Sequence, residues 1–123
     1  MLSESRRLKR ILVVEDQSMI AYDLRALLMA MGYEVAGPAS SISNAMEAII
    51  SDPPDAAVLD IALGKETSFS IAEALAERSI PFIFLTGYGE SILPPALRTY
   101  PLLTKPVRKA ELKAALESAL ADR

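Results

Sequence analysis

Ile11-Leu12-Val13-Val14 is an unbroken apolar run, three of its four residues β-branched, with no polar residue left to face solvent. A strand of that kind must be covered on both faces, the situation of a parallel sheet rather than of a half-exposed antiparallel one. Ala56-Ala57-Val58-Leu59 repeats the pattern, and Ile80 to Leu85 supplies a third such stretch, with Pro81 tolerable at its start. Between these runs the apolar period changes to that of a helix. Ile20, Leu24, Leu27, Leu28 and Met31 share one face of a stretch from Gln17 to Met31, and Gly32 stands where a helix end favours a left-handed residue.

The remaining segments keep the alternation. Tyr33 to Ala36 reads as a short second strand closed by Gly37-Pro38, and Ser41 or Ser43 caps a helix striped by Ile42, Met46, Ile49 and Ile50. Asp52-Pro53-Pro54-Asp55 is a loop. After Asp60 a loop containing Gly64 leads to a third helix with Ile71, Leu75 and several alanines. Pro94-Pro95 interrupts the region where a fourth helix belongs, so that helix is expected to be short or irregular. A fifth strand begins near Tyr100 and ends at Thr104-Lys105-Pro106. The last helix carries Leu112, Ala115, Leu116 and Ala119 on one face. Residues 1–9 read as a tail and 10–123 as one domain, a doubly wound α/β sandwich on a five-stranded parallel sheet.

Composition narrows the chemistry. The chain has no cysteine and no histidine, which removes disulfides, thiolate metal sites, the usual general base and the commonest zinc ligand. A net charge of −3 with no long single-sign block argues against gripping nucleic acid or an anionic membrane. No apolar run approaches the roughly 20 residues that span a bilayer, and Arg6, Arg7, Lys9 and Arg10 are not followed by a signal-peptide pattern. A cytoplasmic protein is expected, working with carboxylates, hydroxyls, lysines and backbone.

In doubly wound sheets, ligands sit outside the C-terminal ends of the strands. Here those ends carry Glu15-Asp16 on the first strand, Asp60 on the third, Thr86 on the fourth and Lys105-Pro106 on the fifth. Taken singly, each has a plain explanation: an acidic pair caps a helix, a strand-end aspartate makes a turn, a threonine terminates a strand, a lysine is solvated. All of them on consecutive strand ends put three carboxylates, a hydroxyl and an ammonium into one cleft. Crowded carboxylates repel, and a hard divalent cation, Mg²⁺ in the first place, relieves that conflict. Asp60 then has the setting of a nucleophile toward phosphorus, with Lys105 and Thr86 on the phosphoryl oxygens.

This residue set resembles the receiver domain of bacterial two-component response regulators, over nearly the whole chain. The resemblance implies that Asp60 is the phosphoacceptor and that Asp16, Asp60 and the backbone carbonyl of Ala62 bind Mg²⁺, with Glu15 helping through water. It implies that Thr86 is the switch hydroxyl, that Lys105 pairs with the phosphoryl group, and that the Lys105–Pro106 peptide is cis. Phe84-Leu85-Thr86-Gly87-Tyr88 further resembles a subfamily, often of stand-alone receivers, that works with HWE-type histidine kinases. The implied partners are a sensor histidine kinase or a histidine phosphotransfer protein, and a phosphorylation-dependent dimer is a further expectation. The usual switch aromatic is missing, since Leu102 stands in its place; Tyr88, or after it Tyr100, is the expected substitute.

So short a remainder after Lys105-Pro106 leads to the expectation of a switch without an output module, signalling by protein contacts or relaying or draining phosphate. Three other readings compete. An aspartate-nucleophile phosphohydrolase wants a second acid two residues after the nucleophile, where Ala62 stands. A flavodoxin-like cofactor binder, or a nucleotide P-loop protein, wants a glycine-rich phosphate loop where Glu15-Asp16-Gln17-Ser18 stands. An unphosphorylated receiver-fold platform for protein binding would keep the fold without needing its complete set of chemical residues. The chain is therefore expected not to be an enzyme beyond assisting its own phosphorylation and dephosphorylation.

Overall fold

The computed structural model describes residues 8–87 and 93–121. Strand β1 (Arg10–Val14) leads into helix α1 (Ser18–Ala30), followed by β2 (Glu34–Ala39), α2 (Ile42–Ser51) and β3 (Ala56–Asp60). A small hairpin, β4 (Ala62–Leu63) and β5 (Glu66–Thr67), precedes α3 (Phe69–Glu77). Then come β6 (Phe82–Thr86), a 3-10 turn (Pro95–Leu97), β7 (Leu102–Thr104) and α4 (Lys109–Ala121). The five-stranded sheet has the order β2-β1-β3-β6-β7, all pairs parallel.

The continuous apolar runs do what their composition requires. Alternate residues of β1, β3 and β6 enter opposite layers: Leu12, Leu59 and Phe84 join α2 and α3 residues Ile49, Ile71 and Leu75 on one side. Ile11, Val58 and Ile83 join Leu24 and Leu28 of α1 and Leu112 and Leu116 of α4 on the other. Each fully buried side chain such as Leu59 or Phe84 contributes about 1.5–3 kcal/mol, and all the side chains named in this paragraph are 5% exposed or less. This double coverage fixes the sheet, and with it the line of strand ends on which the site stands.

Helix signals fall close to expectation. Gly32 at φ 93 closes α1, and Ser41 rather than Ser43 caps α2, its Oγ accepting the Asn44 N–H at 3.1 Å. Strand β2 runs farther than the sequence suggests, through Gly37-Pro38 to Ala39. It can do so because it is an edge strand, where a missing N–H is tolerated, and because the ladder shifts register between Leu12 and Val14. Gly37 is required there: at φ 87 a Cβ would lie 2.7 Å from the Ala39 nitrogen and 3.0 Å from the Val13 oxygen.

The connection after β6 contains, among the described residues, only the 3-10 turn, in keeping with the short or irregular helix that Pro94-Pro95 predicts. Leu93 and Leu97 from this connection still fill the core beside Phe82 and Phe84. Tyr100 stacks on Phe82 with ring centroids 4.3 Å apart, at the strand end opposite Asp60. Packing, not the site, occupies that tyrosine. Tyr88 lies outside the described residues.

Candidate functional site

Each predicted side chain is delivered by a strand end whose backbone is pinned to its neighbour. The Glu15 N–H donates to the Ala39 carbonyl at 3.0 Å, so the extension of β2 sets where the acidic pair emerges. Ile61 N–H donates to Leu85 O at 3.0 Å just after Asp60, and Lys105 N–H donates to Thr86 O at 2.8 Å. Glu15, Asp60 and Lys105 are therefore held by ladder geometry rather than by loops.

The carboxylates of Glu15, Asp16 and Asp60 come together, one oxygen from each lying within 4.8 Å of the others. Lys105 Nζ stands 3.1 Å from Glu15 Oε1 and 3.1 Å from Asp60 Oδ2. The other Glu15 oxygen accepts the Gln17 N–H at 3.1 Å. Asp16 Oδ2 accepts the Gly64 N–H at 2.8 Å, from the turn of the β4–β5 hairpin. Glu15, Asp60 and Thr86 are buried, whereas Asp16 is more open. Asp16, Asp60, Ala62, Thr86 and Lys105 line one cleft of about 500 Å³ open to solvent. The Lys105–Pro106 peptide is cis.

Burial pushes the Glu15 carboxyl above its usual range; the Gln17 amide opposes this, the Asp60 charge adds to it, and Lys105 opposes it. Burial by itself would lower the Lys105 ammonium, but its bonds to Asp60 and Glu15 outweigh that and raise it. Both groups hold their protons more tightly than in water. Three carboxylates against one ammonium leave surplus negative charge in a partly dry cleft, and all the converging donors are hard oxygens. The donor set thus fits a hard divalent cation.

The sequence offered no sign of the hairpin that reaches Asp16. Strands of two residues are too short for any apolar period to show, and only Gly64-Lys65 hints at a two-residue turn.

Residues 11–117 match the family model of the response regulator receiver domain. The chain belongs to that family. A solved relative, the receiver domain of the PhyR response regulator of Erythrobacter litoralis, superposes with a TM-score of 0.83 at 27% identity, covering 95% of this chain and 93% of that one. A CheY-like receiver domain protein of Methanospirillum hungatei gives 0.81 at 25% identity, over 94% of this chain and 95% of that one. Among curated proteins, the phyllosphere-induced regulator PhyR of Methylorubrum extorquens is 34% identical over 115 residues, 89% of this chain and 43% of that protein. The transcriptional regulatory protein PdtaR of Mycobacterium tuberculosis is 28% identical over 116 residues, 91% of this chain and 57% of that protein. The receiver described here thus spans about half the length of these curated relatives. It has the flavodoxin-like receiver fold and is a component of two-component signalling. No helix among its described residues is long and apolar enough to cross a membrane.

Proposed function

We propose that this receiver accepts a phosphoryl group on Asp60. The observation that carries the reading is the buried Asp60 carboxylate, 3.1 Å from Lys105 Nζ and clustered with Glu15 and Asp16 at the mouth of a cleft. In the reaction an Asp60 oxygen forms a bond to phosphorus as the donor's bond to phosphorus breaks. With an acyl phosphate the donor leaves as a carboxylate and no proton is needed. Lys105 neutralises charge on the phosphoryl oxygens, and the Thr86 hydroxyl, at the end of the neighbouring strand, moves to hydrogen-bond one of them.

Asp16, Asp60 and the Ala62 carbonyl are the residues that would hold Mg²⁺, with Glu15 acting through water. In a ladder closed by a two-residue turn, the pair beside the turn exchanges both hydrogen bonds and the next pair does not. Leu63↔Glu66 is the closing pair and Ala62↔Thr67 the next, which leaves the Ala62 carbonyl available to the cleft. Bound Mg²⁺ supplies neutralisation of charge that the single ammonium leaves over. Outside the metal, Lys105, itself held by Glu15, keeps the Asp60 carboxylate in place for attack.

The natural donor in this reading is a phosphohistidine on a sensor histidine kinase, of the HWE type by the Phe84 to Tyr88 motif, or on a phosphotransfer protein. The output is a protein contact, a phosphorylation-dependent dimer, or the relay and draining of phosphate. The receiver is a switch and not an enzyme for external substrates, since Ala62 supplies no acid for turnover. The test is intact-protein mass after incubation with Mg²⁺ and a small acyl phosphate. One added phosphoryl group, absent in Asp60→Asn and with a chelator, is the expected result. No gain from either an acyl phosphate or a panel of phosphorylated histidine kinases, with fold and Mg²⁺ binding intact, overturns the reading in favour of an unphosphorylated platform.

A further inference from the structure

The three clustered carboxylates are not held alike. Glu15 is tied by Lys105 and by the Gln17 amide, and Asp60 by Lys105. Asp16 lies beyond both of these anchors. Among the described residues, the hydrogen bond to its carboxylate comes from Gly64, 48 positions later in the chain, at 2.8 Å.

Gly64 is the first residue of the two-residue turn that closes β4 and β5. Its φ of 62 is positive while Lys65 is not among the residues of positive φ, the pattern of a type II′ turn. The ladder makes no use of the N–H at that turn position, so the amide is free to point out of the hairpin. Here it points at Asp16. The hairpin itself cannot swing freely: Leu63 is buried in the core and Ile61 beside it is 3% exposed. Ile61 N–H donates to Leu85 O at 3.0 Å, and Ser68 N–H donates to Ile61 O at 2.9 Å, closing the foot of the loop.

We infer that the β4–β5 hairpin is a positioning device for the metal ligand Asp16, acting through the Gly64 amide. One carboxylate oxygen accepts the Gly64 N–H at 2.8 Å, which orients the group and leaves its other oxygen for a cation. Gly64 is needed for its backbone conformation and not for space, because an added Cβ would meet nothing closer than Asp16 Oδ2 at 3.9 Å. The inference rests on the reading of the cleft as a Mg²⁺ site.

Two measurements test it. In Mg²⁺-free protein, the Gly64 amide proton should shift markedly on Asp16→Ala, as a charge-assisted bond is lost. Mg²⁺ affinity, followed by amide shifts on titration, should fall about tenfold in Gly64→Val, the scale seen when a ligand loses its orienting partner. Gly64→Asn, which tolerates the positive φ of the turn as a β-branched residue does not, should retain most of the affinity. A merely structural glycine would change the metal-free melting temperature without this selectivity. Wild-type affinity in Gly64→Val, or a Gly64 amide indifferent to Asp16→Ala, overturns the inference; should Gly64→Val not fold, the amide shift and Gly64→Asn decide. If the wild type binds no Mg²⁺, the reading of the cleft fails and the inference with it. If the wild type binds and Gly64→Val binds equally, only the inference fails.

Discussion

Both ends of the sheet bring three carboxylates together near one basic residue, yet they do opposite things with the charge. At the N-terminal end, Arg10 stands 3.7 Å from Glu34 Oε1 and 3.4 Å from Asp52 Oδ2, and its backbone N–H donates to Asp55 Oδ2 at 2.7 Å. The side chains of Glu34 and Asp52 are 58% and 72% exposed, so water carries most of their charge. Arg10 also donates to the carbonyl of Asp52 at 3.0 Å, so its planar fork works as a staple between β1 and the loop before β3. At the C-terminal end the side chains of Glu15 and Asp60 are 0% and 8% exposed. The count of charges is equal; the access of water is not. Water and salt screen solvated carboxylates from one another, whereas buried ones need a cation, so the uncompensated charge that a divalent cation would neutralise lies at the C-terminal end.

Exchanging the two cations for neutral side chains gives the largest expected contrast. Lys105→Met should slow phosphorylation by an acyl phosphate by about two orders of magnitude, the usual loss when one charge-stabilising donor is removed from a reacting centre. Arg10→Met should leave that rate within about twofold and lower stability by roughly 1 kcal/mol, as expected for exposed ion pairs and a few bonds to carbonyls. Rates from intact-protein mass and stabilities from urea unfolding measure both. A comparable slowing in folded Arg10→Met would show that the ends are coupled and that the contrast is misdrawn.

A gentler way to separate the ends is to add the cation. At about a hundred times its dissociation constant, Mg²⁺ should stabilise the wild type by about 2.7 kcal/mol through mass action alone. Asp16→Asn should lose most of that gain. Asp52→Asn, at the solvated end, should keep it in full. Thermal melts with and without Mg²⁺ read the difference, and equal gains in both variants would place the ion elsewhere.

The C-terminal side of this contrast is legible in the sequence. Ile11 to Val14 and Ala56 to Leu59 could only be strands covered on both faces, and such strands in alternation with helices force a parallel sheet whose C-terminal ends collect Glu15, Asp16, Asp60, Thr86 and Lys105. What stayed hidden was tertiary or too short to have a period. Pro38 looked like the end of β2, because sequence does not reveal that an edge strand with a register shift can pass through proline. The β4–β5 hairpin is two residues a side. Its bond to Asp16 joins residues that no local pattern connects. The N-terminal Arg10 network was equally invisible, since Arg10 closes the basic run of Arg6, Arg7 and Lys9, which reads as ordinary solvated charge.

The smallest effect sharpens the contrast from the N-terminal side. Tyr33 precedes β2 there, packed against the core layer that α1 and α4 share, and burial, followed by the nearby charge of Glu117, raises its phenol above the usual value of about 10. The folded chain therefore keeps this proton longer than the unfolded chain does. The stability it contributes is full below pH 10 or so and is lost as the pH rises through the folded value. The phenolate absorbance of the wild type minus that of Tyr33→Phe should rise with a midpoint above about 10, the other tyrosines cancelling. Glu117→Gln should return the midpoint only part of the way, because burial is the larger cause. A midpoint at or below the usual value would mean that Tyr33 is as well solvated as Glu34 beside it. In that case water, rather than packing, would govern every charge at this end of the sheet.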